Sequence, residues 1–148
     1  MLLSQLVDNT VDDIVYLETK NIDKHKSSIS FNKSLSEVLI SISAILVDEN
    51  IKINSDFSKL NSIYYRPALL ERILLSLIAG AIKRKQPNSA SVINISTYLE
   101  NSKPTLEVSD NGARIDMNNF DKEQDVGFQG NIYLESVSDK GTVIKIYL

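Results

Sequence analysis

The chain has 148 residues, 43% hydrophobic and 24% charged, the size and make-up of one globular domain that can bury a proper core. A formal charge of -3 and a pI near 5.2 give no electrostatic footprint for nucleic acid or an acidic membrane surface. There is no cysteine, which excludes disulfides, thiolate nucleophiles and cysteine-ligated metal centres.

Met1 to Asp8 lacks the basic and continuous apolar regions of a signal peptide, and no stretch is long enough to span a bilayer. The expected setting is therefore soluble and cytoplasmic. Leu3, Leu6, Val7, Val11, Ile14 and Leu17 recur at spacings of three and four, which predicts an amphipathic helix whose stripe needs a partner. The polar stretch from Glu18 to Ser28 reads as a connector, so residues 1–27 are set apart from a main domain over residues 28–148. Ile29 and Phe31 alternate as a short strand. Ser34 with Glu37 forms a capping-box pattern ahead of Leu35, Val38, Leu39, Ile42 and Ile45, predicting a helix to about Asp48.

Ile51, Ile53 and Phe57 suggest another short strand, and Ile63 with Tyr65 one more. Pro67 suits the first turn of a helix. From Ala68 to about Arg84 that helix carries Leu70, Ile73, Leu74, Leu77, Ile78 and Ala81, the clearest helical pattern in the chain, and Pro87 to Ser89 end it. The second half then switches to a period of two. Ile93, Ile95, Thr97 and Leu99 share one face, followed by Leu106 and Val108, by Ile132 and Leu134, and by Ile144, Ile146 and Leu148. Asn101 to Pro104 and Ser138 to Gly141 read as hairpin connections. Residues 111–129 form a polar segment with little periodicity. Helices against a mixed, mainly antiparallel sheet make a two-layer α/β sandwich of the α+β class, with an N-terminal helix besides.

Asp110 is the residue that most needs explaining. Leu106 and Val108 define the inward face of their strand, and the period of two places Asp110 on that same face, where a lone carboxylate is costly without a donor. Two readings stand side by side: a ligand-binding carboxylate, or a cap on the Asn111-Gly112 turn through nearby backbone amides. Gly112 permits a close backbone approach in either case.

The stretch from Leu70 to Arg84 resembles the N box of sensor histidine kinases, whose usual form is Leu-x-Gln-hydrophobic-Leu-x-Asn-Leu-Leu-x-Asn-Ala-hydrophobic-Lys-Tyr. Val108 to Ile115 resembles the first glycine box, Asp-x-Gly-x-Gly-Ile. Gly130 to Ser136, followed by Lys140 to Leu148, is similar to the closing hairpin of that family. The segment from Ile29 to Pro67 fits the elements that lead into the N box, so the resemblance covers about four-fifths of the chain. The family is the GHKL ATPase superfamily, histidine kinase branch. It implies a Bergerat-type sandwich with helices on one face of a mixed sheet, preceded by the tail of a dimerisation helix.

The resemblance also implies roles and exposes departures. Asp110 matches the aspartate that accepts the adenine amino group, and Gly112 the first glycine beside it, while Lys83 matches a lysine near the phosphates. These three residues would carry ATP binding if the site is retained. The two N-box asparagines, the second of which holds magnesium, are Ser76 and Gly80 here. A glycine offers no side-chain oxygen to a hard cation, so a magnesium site is not supported. Close packing of helix on sheet is the plainer account of Gly80.

Arg114 stands where the second glycine belongs and supplies either strain or a cation for an anionic group. Between Ile115 and Gly130 there is no glycine-rich phosphate cradle; Phe120 reads as a core anchor, and Asp121, Glu123 and Asp125 would repel phosphate. Lys83, Arg84 and Lys85 read as ordinary cations at a helix C-terminus. The single histidine, His25, lies in a charged connector and does not resemble the phosphoacceptor motif.

The expectation is a degenerate histidine-kinase-type domain of two-component signalling that acts by protein interaction, with no cofactor and no catalytic residue. Its partner would be a response regulator, a phosphotransfer protein, or a second copy joined through the N-terminal helix. Some bacterial histidine phosphotransferases resemble this plan, but the phosphoacceptor hairpin is not matched here. The other expectation is a divergent or truncated sensor kinase domain that still binds ATP.

Overall fold

The computed structural model describes residues 25–87, 89–113, 130–137 and 141–148, with the backbone alone for 134–137. The N-terminal helix, Arg114, Phe120 and the acidic run after it lie outside the described residues.

Strand β1 (Ser27–Ser30) pairs antiparallel with β3 (Ser62–Tyr65) as a small separate ribbon. Helix α1 (Phe31–Ser41) follows β1 without a break. Its cap is Ser30, whose hydroxyl accepts the Lys33 N–H at 3.3 Å, so the helix begins a turn earlier than the Ser34-Glu37 pattern implied. Phe31 thus lies in the helix rather than the strand, fully buried and stacked on Phe57 with ring centroids 5.6 Å apart.

The expected continuous helix to Asp48 is two helices. Ser41 donates its hydroxyl back to the Val38 carbonyl at 2.6 Å, and Ile42 leaves helical geometry (φ -119, ψ 16) while its side chain stays buried. That local bond competes with the helix ladder. Helix α2 (Ser43–Asp48) then runs with no buried residue.

Helix α3 (Pro67–Lys83) is the centre of the core. Pro67 opens it, where a missing N–H costs nothing, and its inner surface from Leu69 to Ile82 is almost wholly buried. It lies against α1 and against strands β4 and β5. The main sheet has the order β2-β4-β5-β7-β6, built from β2 (Ile51–Asp56), β4 (Ser91–Glu100), β5 (Lys103–Asp110), β6 (Asn131–Val137) and β7 (Gly141–Tyr147). β2 and β4 are parallel, because β3 and α3 form the crossover between them; the other pairs are antiparallel. Asn101 and Ser102 both adopt positive φ (52 and 67) in the two-residue turn between β4 and β5.

Ile93, Ile95, Leu106, Val108, Ile132, Ile144 and Ile146 face the helices and are buried. The architecture is the expected α+β two-layer sandwich with a mixed sheet. Leu99 departs from its strand's inward set: it is 57% exposed. The buried run on β4 ends at Thr97, whose hydroxyl donates to the Leu60 carbonyl.

Candidate functional site

The period of two along β5 delivers Asp110 to the inward face at the strand's end, as its neighbours Leu106 and Val108 require. Its side chain is 1% exposed. Both carboxylate oxygens are engaged within the chain: Oδ1 accepts the Gly112 N–H at 2.9 Å, and Oδ2 accepts Nη2 of Arg84 at 2.7 Å. The first contact is the turn cap read from the sequence. The second, from a residue 26 positions away, was not foreseen.

The turn itself is pinned on every side. Asn111 accepts the Val92 N–H at 2.9 Å and donates to the Ala90 carbonyl at 3.1 Å, tying the turn to the start of β4. Ala113 donates its N–H to the Arg84 carbonyl at 2.7 Å, so the C-terminal end of α3 sits directly on the turn. A Cβ on Gly112 would collide with that same carbonyl, which makes this glycine a consequence of the close approach. On the other side, Gly141 adopts φ +90 and a Cβ there would run into the Asp110 carbonyl.

Arg84 caps α3 and folds its side chain back along the helix. A Cβ built on Gly80, one turn earlier, would stand 3.2 Å from Nη1 of Arg84. The space that Gly80 leaves is therefore lined by the guanidinium rather than the sheet, correcting the packing expected from sequence. The Arg84 side chain is 17% exposed, and its Nε is buried with no partner among the described residues. The hydroxyl of Ser91, at the first residue of β4, is buried in the same condition.

Of the three residues expected at a nucleotide, Asp110 and Gly112 come together. Lys83 is exposed on the last turn of α3, and neighbouring helix positions do not share a face. Ser76, two turns before Lys83, is 5% exposed, on the buried side of α3. His25 is exposed. Among the described residues, no three His, Cys, Asp or Glu side chains gather as a metal would need. Arg84 is the residue sequence reasoning passed over. The available signal was a cation four positions after a glycine, on a helix that ends at the Asp-Asn-Gly turn.

Two other groups of charges are resolved. Between α1 and α3, burial and the facing Glu37 carboxylate push the Glu71 carboxyl above its ordinary value, against the opposing pull of Arg72 and Lys33. On the open face of the sheet, Lys145 lies 3.4 Å from Glu100 and about 6 Å over the rings of Tyr98 and Tyr133. Burial works against that ammonium, but hydrogen bonds and charge from Tyr98 and Glu100 outweigh it and raise the Lys145 value. Tyr147 donates to Glu100 at 2.6 Å and Tyr98 to Glu107 at 2.9 Å, so this face is internally paired.

No protein-family model and no curated protein sequence matches the chain. Solved structures do. The chain is similar to the histidine kinase AdeS of Acinetobacter baumannii with a TM-score of 0.74 at 18% identity, over 93% of this chain and 75% of that one. Against the cytoplasmic segment of histidine kinase QseC the TM-score is 0.64 at 14% identity, over 99% and 94%. Against histidine kinase ThkA, in its complex with the response regulator protein TrrA, it is 0.64 at 15% identity, over 90% and 46%. The chain has the fold of the histidine kinase catalytic domains.

Proposed function

We propose that the chain is a non-catalytic histidine-kinase-like domain that serves two-component signalling through protein contacts and holds nucleotide weakly or not at all. The observation that carries this reading is the Asp110 carboxylate. Both its oxygens are taken by groups of the chain itself, one by Gly112 and one by Arg84. An adenine amino group would have to displace a charge-assisted bond of 2.7 Å between partners that water reaches poorly.

The donor set argues the same way for magnesium. Gly80 stands where the second N-box asparagine is expected and has no side-chain oxygen, and an arginine guanidinium lies beside it. A cation that needs oxygen ligands does not fit next to a fixed positive charge. No phosphate-handling step is therefore assigned to Ser76, Gly80 or Lys83. For a partner, the ThkA structure offers the relevant precedent, because that fold is seen there with a response regulator. We assign this chain the same class of partner, a response regulator or phosphotransfer protein.

The second reading, a divergent kinase domain that still binds ATP, is favoured by the retention of Asp110 and Gly112 in one turn. Titration of the whole chain with a fluorescent ATP analogue, with and without magnesium, separates the two. No saturable signal up to millimolar nucleotide is expected. Saturable, magnesium-dependent binding that unlabelled ATP competes away would replace the first reading with the second.

A further inference from the structure

We infer that Arg84 is a ligand supplied in cis: its guanidinium occupies a buried carboxylate site that, once vacated, accepts small planar cations of the guanidinium and amidinium class. The inference rests on the reading above, in which Asp110 is not serving a nucleotide, and extends it to what the site does bind.

Four features make this a built site and not a surface ion pair. Asp110 has a side chain 1% exposed, so its charge demands a donor that the chain must provide or recruit. Gly80 has no side chain, and a Cβ there would stand a tight 3.2 Å from Nη1, so the guanidinium packs close against the bare helix backbone at this position. The turn has further ties that do not use the arginine side chain and keep its shape recognisable without it, through Asn111 to β4 and through the Ala113 N–H to the backbone carbonyl of Arg84. Finally, Nε of Arg84 is buried with no partner among the described residues, so within them the tethered group leaves part of its bonding capacity unused. A ligand at this site is therefore held by shape and by one carboxylate, and a flat cation with several N–H donors matches both.

Such an occupant makes the state of the turn independent of any metabolite. Asp110, Gly112 and the end of α3 stay clamped whether or not a small molecule is present, which suits a domain that presents one constant surface to a protein partner. The tether also accounts for the pairing of two unusual residues four positions apart on α3. Gly80 makes room and Arg84 fills it.

The test is chemical rescue in the full chain. Arg84→Ala should melt several degrees below the parent and exchange the Gly112 and Ala113 amide protons at least tenfold faster. Millimolar methylguanidinium should restore much of both losses, while equal sodium chloride or urea does not. It should leave the parent unchanged and fail on Arg84→Ala/Asp110→Asn. If Arg84→Ala does not fold alone, methylguanidinium present throughout refolding should recover the folded chain, and should not do so for Arg84→Ala/Asp110→Asn. Rescue that ignores the Asp110→Asn change, or its absence in both the folded-state and the refolding measurement, overturns the inference. Magnesium-dependent nucleotide binding by the parent would instead overturn the proposed function, and neither result mimics the other.

Discussion

At the scale of single residues, the Asp-Asn-Gly turn shows how much a local pattern can state. Alternation along β5 places Asp110 inward, and the dipeptide after it marks a turn; both are consequences of geometry within a few residues and both are found. Arg84 was hard to read because its charge does not distinguish it from Lys83 or Lys85, and its one local mark, Gly80 four positions earlier, has a plainer account in helix packing. All three sit at a helix C-terminus, where the macrodipole alone justifies a cation. Only the packing of α3 on the turn selects which of them meets Asp110. The same packing explains Gly112, whose missing side chain is filled by the Arg84 carbonyl. Gly112→Ala should cost roughly 1–3 kcal/mol, as overpacking does against backbone that cannot swing away. Urea unfolding would show a lower midpoint at unchanged slope; a midpoint equal to the parent's would mean that the contact is loose.

Among elements, α3 and the second-half strands were legible because long periodic patterns survive any tertiary context. The boundaries around α1 were not. Ser34 followed by Glu37 satisfies the capping-box pattern, yet Ser34 is buried inside the helix and Ser30 performs the capping. The strand-to-helix transition at Ser30 is fixed by Phe31 entering the core against Phe57, a contact between residues far apart in sequence. The facing carboxylates of α1 and α3 give this packing a dependence on pH. The Glu71 value is raised in the folded state by burial first and Glu37 second. Folding therefore favours its protonated form: that stabilisation is full below the ordinary value of 4.5 and is lost as pH rises through the higher folded value. At neutral pH Glu71 is charged and mildly unfavourable, screened by the solvent that reaches it. Glu71→Gln should match or exceed the parent at pH 7, by about 0.5 kcal/mol. The advantage should shrink as the solution is acidified below the raised value. Thermal melts across pH 4–7 measure it, and an advantage that grows on acidification would reverse the sign.

For the whole molecule, the fold was legible through the order of its pieces. The N-box-like helix, the Asp-Asn-Gly turn and the closing hairpin are each short, but their sequence along the chain admits few sandwiches, and the sheet order β2-β4-β5-β7-β6 is one. What the pattern leaves open is what would cover the stripe of Leu3, Leu6, Val7, Val11, Ile14 and Leu17, which the sequence predicts as a helix and which lies outside the described residues. An isolated helix of the predicted length is marginal in water, so such a stripe needs cover to persist. A second copy is the economical cover, because identical stripes are self-complementary about a two-fold axis and need no further chain. The parent should then have the mass of a dimer by light scattering. Leu6→Glu with Val11→Glu, which set charges into the middle of the stripe, should halve that mass while the near-ultraviolet signature of the sandwich is kept. A monomer mass for both proteins would leave the stripe to a different partner, and the signalling partner of the proposed function would be the first candidate.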